Sequence, residues 1–168
     1  DIIMFAVPSV FVRDTAKKCK NYIKDNQIIV DVAKGIESDT LMTLTQVIND
    51  EIKNDTVKYA ALSGPTHAEE VSLDMPTTIV SACSDIEVAK LVQDFFSSSF
   101  MRVYTNTDIK GIEICGALKN IIALATGISR GLGYGDNATA ALNTRGLAEL
   151  SRLGKAVGCS PYTFSGLT

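Results

Sequence analysis

The apolar pattern of the chain changes period once, at Thr107–Asp108, and this switch restricts the fold more than any other feature. Upstream of it, apolar runs over residues 2–7, 27–32, 59–62, 77–82 and 100–104 read as strands. The first, Ile2-Ile-Met-Phe-Ala-Val7, has no polar interruption and fits a strand buried on both faces of a parallel sheet. The stretches between the runs, 12–24, 41–53, 67–73 and 85–96, have helical spacing. In the second helix Leu41, Leu44, Val47, Ile48 and Ile52 form the expected buried stripe. Downstream only helical periodicity remains: residues 111–129, a glycine-rich turn over 131–136, and residues 137–157. The expected fold class is therefore α/β followed by all-α, divided into units 1–107 and 108–168.

Composition narrows the partners. A net charge of -3 and a pI near 5.1 give no overall basic field, which argues against nucleic acid but leaves room for a locally positive pocket. Cys19, Cys83, Cys115 and Cys159 are far apart and there is one histidine, so no metal site is expected and the thiols read as reduced and cytoplasmic. Residues 111–129 are long and apolar enough to suggest a membrane span, but Glu113, Lys119 and four glycines between 111 and 131 argue against stable insertion. No signal peptide is visible, and a chain that opens at Asp1 inside a strand reads as an internal fragment.

The residues that point to chemistry are few. Lys119 is the one charged side chain between Glu113 and Arg130, and its helical neighbours are Cys115, Gly116, Ile122 and Ala123. Desolvation there should lower its pKa and suit it to proton exchange; the alternative is a lysine that snorkels to water. Lys34 follows the second strand, at the sheet end where ligands bind in open α/β folds. Gly64 permits close backbone approach after the third strand, and Thr66 is placed to cap the helix that follows. His67 reads as an ordinary surface residue, and Lys17, Lys18, Lys20 and Lys24 as a solvated helix face. Gly131-x-Gly133-x-Gly135 follows a helix and lacks the spacing of a dinucleotide fingerprint, so it reads as a helix-to-helix turn; Arg145 and Glu149 beyond it are spaced to pair.

Six stretches taken together resemble the soluble NAD(P)-dependent glycerol-3-phosphate dehydrogenases, the bacterial branch in particular. They are Val7-Pro-Ser9, Ala33-Lys-Gly-Ile-Glu37, Leu62-Ser-Gly-Pro-Thr-His-Ala-Glu69, Arg102-Val-Tyr-Thr-Asn106, Gly116-Ala-Leu-Lys-Asn120 and Asn143-Thr-Arg-Gly-Leu-Ala-Glu149. The resemblance implies the second half of a Rossmann-like cofactor domain joined to part of a helical substrate domain. It also implies reversible reduction of dihydroxyacetone phosphate to sn-glycerol 3-phosphate, supplying the backbone of glycerophospholipids in the cytoplasm. On this basis Lys119 is catalytic, exchanging the proton of the ketone oxygen. Lys34, Gly64, Thr66, Lys119 and Asn120 would bind substrate, and Pro8, Phe11, Lys34 and Ala68 the cofactor, NAD or NADP with NADPH favoured. A homodimer is compatible with the resemblance.

Departures from the family pattern are equally plain. The glycine-rich cofactor fingerprint has no counterpart before Asp1, and a later acidic residue and a Ser-Arg-Asn segment are not found before Thr168. The isolated chain is accordingly expected to bind cofactor poorly and to turn over slowly or not at all. Two alternatives remain at this level: a related lysine-dependent keto-acid reductase of β-hydroxyacid dehydrogenase or ketopantoate reductase type, and a noncatalytic helical module in which Lys119 is structural.

Overall fold

A computed structural model of the chain describes residues 1–166. Five strands form one sheet in the order β1 (Ile2–Phe5), β2 (Ile28–Asp31), β3 (Lys58–Ser63), β4 (Thr77–Ala82) and β5 (Met101–Asn106). β1, β2 and β3 are parallel, β4 runs antiparallel to β3, and β5 is parallel to β4. The helices are α1 (Val12–Cys19), α2 (Leu44–Ile52), α3 (Ala68–Ser72), α4 (Ile86–Phe96), α5 (Ile109–Gly131) and α6 (Asp136–Ala156).

Strand alternation divides the core between the two sheet faces. On β2, Ile29 packs with Phe5, Val12, Ala16, Leu44, Val47 and Ile48 under α1 and α2. Its neighbour Val30 joins Ala60, Leu62, Ile79, Ala89 and Val92 under α4 on the other face. Ile112 of α5 packs on Val80 and Ala82, while Ile114 and Cys115 pack on Leu150, Cys159 and Phe164. α5 passes the length and hydropathy test for a membrane span, but here its first half is buried against the sheet and against α6. None of the four cysteines is in a disulfide; Cys83, Cys115 and Cys159 are buried and Cys19 is half-buried.

Several local expectations are corrected. β1 is an edge strand rather than one buried on both faces: it pairs only with β2, and Met4 is exposed. The sheet is mixed rather than wholly parallel. α2 starts after Thr43, whose N–H is accepted by Gln46 Oε1 at 3.0 Å, so Leu41 lies outside the helix, exposed and with φ at +58°. His67, not Thr66, occupies the position before α3.

Asp108 ties the helical part together. Its Oδ1 accepts from Gly111 N–H at 3.0 Å and caps α5, and its Oδ2 accepts from Ser160 N–H and Thr163 Oγ1, both at 2.8 Å. Phe164 then fills the space over Gly154, where a side chain would collide with its ring.

Candidate functional site

Three backbone segments meet at the carboxyl end of β2 and β3. The loop after β2 delivers Lys34, whose ammonium donates to the Gly64 carbonyl at 2.8 Å. The turn after β3 supplies that carbonyl, which also accepts from Thr66 Oγ1 at 3.4 Å. Gly64 is required there because a Cβ would lie 2.8 Å from the Thr78 carbonyl and 2.9 Å from Ile79 Cα on the antiparallel neighbour.

The third segment is α5. A Cβ on Gly116 would lie 2.5 Å from Ser63 Oγ, so the helix seats directly on the last residue of β3. Lys119 follows one turn later and is half-buried. Its charge reaches Lys34: burial first, and the Lys119 ammonium second, hold the Lys34 pKa below the ordinary lysine value. The two lysines thus lie within electrostatic reach of one another at the carboxyl end of β2 and β3.

The remaining expected residues are distributed around this centre. Pro8 and Phe11 bracket an exposed single 3-10 turn after β1, Ser9–Phe11. That turn touches the Lys34 loop, since a Cβ on Gly35, whose φ is +156°, would lie 2.6 Å from Ser9 Cβ. Thr66 and Ala68 line an apolar pocket with Val32, Leu62, Val71 and Ile79 on the α4 side of the sheet. Asn120 is exposed, one residue beyond Lys119. His67 is also exposed and faces Glu69 at 3.1 Å. Arg145 and Glu149 pair at 2.7 Å on the exposed face of α6.

Sequence reasoning missed two buried acids below the lysines. Asp31, the last residue of β2, is 1% exposed, and Glu113 of α5 is 7% exposed. Glu113 accepts from Thr45 N–H at 2.8 Å and from Thr45 Oγ1 at 2.5 Å, placing a carboxylate on the first turn of α2. Burial raises the Glu113 pKa against the pull of those hydrogen bonds. Asp31 is pushed up to about 7, by burial first and by the Glu113 charge second, with the Ala33 N–H opposing. A signal was present in the sequence: Asp31 interrupts the apolar run Ile28-Ile-Val-Asp-Val32. Among the described residues no group of three histidine, cysteine or acidic side chains could hold a metal ion.

Comparison with known proteins matches both parts of the chain to one family. The profile described as NAD-dependent glycerol-3-phosphate dehydrogenase N-terminus matches residues 1–89, and its C-terminus counterpart matches residues 108–168. Glycerol-3-phosphate dehydrogenase (NAD(P)+) 2 of Lactobacillus delbrueckii subsp. bulgaricus is 64% identical over 99% of this chain and 51% of its own length. The Fusobacterium nucleatum glycerol-3-phosphate dehydrogenase (NAD(P)+) is 53% identical over 100% of this chain and 50% of its own. The crystal structure of glycerol-3-phosphate dehydrogenase from Coxiella burnetii superposes with a TM-score of 0.90 at 37% identity, over 99% of this chain and 50% of that one. A ketopantoate reductase from Ralstonia eutropha, at 12% identity and a TM-score of 0.53, shares the fold alone. The chain spans about half the length of the curated relatives it matches. Its residues 1–89 and 108–168 place it in the NAD-dependent glycerol-3-phosphate dehydrogenase family.

Proposed function

We propose that this chain forms the catalytic seam of an enzyme that reduces dihydroxyacetone phosphate to sn-glycerol 3-phosphate with NADH or NADPH, reversibly and in the cytoplasm. In this reading residues 1–107 are the carboxyl-side part of the cofactor domain and residues 108–168 open the helical substrate domain. The observation that carries it is the convergence of Lys34 and Lys119 on the seam, with Lys34 held on the Gly64 carbonyl at 2.8 Å.

The chemistry follows from charge. Nicotinamide cofactor supplies hydride when bound. Reduction builds negative charge on the ketone oxygen, and the Lys119 ammonium stabilises that charge and transfers its proton there; in oxidation the neutral amine takes the proton back. Lys34 adds a second cation whose charged form is disfavoured by burial and by Lys119, so an anionic substrate between them relieves the repulsion. Gly64, Thr66 and Asn120 would position the substrate. Pro8, Phe11 and Ala68 would border the cofactor, a role compatible with the exposure of all three and with the contact between the Ser9 turn and the Lys34 loop.

The test is reduced-nicotinamide oxidation with dihydroxyacetone phosphate, ketopantoate and β-keto acids side by side, with NADH and NADPH. It is run on this chain and on a polypeptide extended to the length of the relatives. The extended protein is expected to use dihydroxyacetone phosphate, with little or no turnover by the chain alone; a preference for a keto acid would overturn the reading.

A further inference from the structure

α5 is buried from Gly111 to Gly116 and then emerges, with Lys119 half-buried and Asn120 exposed. Three contacts hold the buried part: Ile112 on Val80 and Ala82, Gly116 on Ser63, and Glu113 on Thr45. Their directions differ. At about 100° per residue, Ile112 and Gly116 lie within about 40° of each other on the stripe that faces the sheet, and Lys119 is about 20° from Ile112. Contacts along one stripe set the height of a helix more firmly than its rotation about its own axis. Glu113 lies about 60° round from Gly116 and about 100° from Ile112, and it meets α2 instead of the sheet.

What Glu113 grips is the start of α2. Thr45 is the second residue of that helix and only 5% exposed, so its N–H has no helix carbonyl to accept it and little access to water. Glu113 Oε1 accepts that N–H at 2.8 Å, and Oε2 accepts the Thr45 hydroxyl at 2.5 Å. A buried acid costs stability that an apolar residue at the same helix position would not, so its return lies in the direction it imposes. The same segment carries Lys34. Between β2 and α2 the chain folds back on itself: Ile36 bridges Thr43, and Glu37 N–H donates to the Met42 carbonyl at 3.0 Å. Ile36 also packs on the cluster around Ile114 and Cys115 of α5.

We infer that Glu113 is a positioning residue: through Thr45 it fixes the rotation of α5 and so holds Lys119 beside the loop that carries Lys34. The catalytic meaning of this placement rests on the functional reading above, but the placement itself does not. A roll of α5 carries Lys119 sideways, and misplacement by about 1 Å is enough to cost about a hundredfold in a reaction that depends on alignment.

Two substitutions separate reach from charge. Glu113→Gln keeps both contacts, its carbonyl accepting the Thr45 N–H and its amide donating to the Thr45 hydroxyl. Glu113→Asp keeps the charge but is one methylene short. Thr45→Val removes the hydroxyl from the other side and takes the place of the aspartate variant if that variant does not fold. On this chain the reading is side-chain NMR of Lys34, whose pKa is held down by burial and by Lys119. Glu113→Asp and Thr45→Val are expected to raise its midpoint toward the ordinary lysine value, and Glu113→Gln to leave it near the wild-type position. Amide exchange at Thr45 should quicken in Glu113→Asp and stay slow in Glu113→Gln. An unmoved Lys34 midpoint in the folded aspartate variant, or in Thr45→Val where that variant replaces it, would overturn the assignment.

On the extended polypeptide, Glu113→Asp is expected to lower kcat with dihydroxyacetone phosphate about tenfold or more, with a smaller change in KM, and Glu113→Gln to retain most of the turnover. Wild-type kcat in the folded aspartate variant would refute the positioning role. Absence of turnover in the extended wild type, together with a Lys34 midpoint that still moves, would strike the functional reading and leave the placement of α5 by Glu113 standing.

Discussion

Gly116 of α5 rests on Ser63 of β3 so closely that an added methyl group would lie 2.5 Å from the serine oxygen. This contact sets the depth of the helix, and therefore the position of Lys119 one turn later. Gly116→Val is expected to push α5 off the sheet and destabilise the fold by about 1–3 kcal/mol, the usual range for overpacking. The shift in urea midpoint measures it. A wild-type midpoint would mean that the helix is not seated through Gly116.

Gly64 is constrained from another side, by backbone atoms of β4 that cannot rotate away. Gly64→Ala is expected to cost about 1–3 kcal/mol and to part the end of the β3–β4 ladder. It should also withdraw the carbonyl that holds Lys34. Amide hydrogen exchange at Val80 and Ser81, which face Ser63 and Leu62 in register, would report the opening.

Lys34 offers a direct reading of the convergence. Its pKa is lowered by burial and then by Lys119, so Lys119→Met should raise it toward the ordinary lysine value. A lysine depressed in the folded state binds fewer protons there than in the unfolded chain. Its penalty therefore stands at neutral pH and is relieved as pH rises from the folded pKa toward 10.5. Side-chain NMR of Lys34 in both proteins is the measurement, and an unmoved midpoint would separate the two lysines.

Acid sensitivity has a different origin. Arg13 donates from Nε and Nη2 to the two oxygens of Glu37, each at 2.7 Å, and from Nη1 to Asp50 at 2.7 Å and Glu51 at 2.5 Å. The Arg13 hydrogen bonds, followed by that from Thr40, hold Glu37 down to about 2. Its stabilising contribution is complete above its unfolded value of 4.5 and is lost as pH falls from there through about 2. Arg13→Lys cannot reproduce the two-pronged contact, so the pH dependence of the urea midpoint should flatten in that window.

Much of this arrangement was legible from residue order. The apolar runs located all five strands, and the loss of strand periodicity after Asp108 located the start of α5 to within two residues. Lys34 and Lys119 stood out because strand ends and charge-poor helices are readable locally. What could not be read depended on partners distant in sequence. The reversal of β4 against β3 is a tertiary choice that leaves the apolar pattern of either strand unchanged. In the sequence Glu113 reads only as a charge that opposes membrane insertion, because Thr45, its partner, is 68 positions away. Thr66 was expected to cap α3, but the Gly64 carbonyl takes its hydroxyl and His67 occupies the cap position.

Turnover with and without the Lys119 ammonium tests the central claim most directly. The measurement is loss of reduced-nicotinamide absorbance with dihydroxyacetone phosphate, on the polypeptide extended to the relatives' length and on its Lys119→Met variant, both shown to be folded. A fall of about a hundredfold or more in turnover, the scale of general acid catalysis, is the predicted result. Unchanged turnover would contradict the account and leave Lys119 a structural lysine.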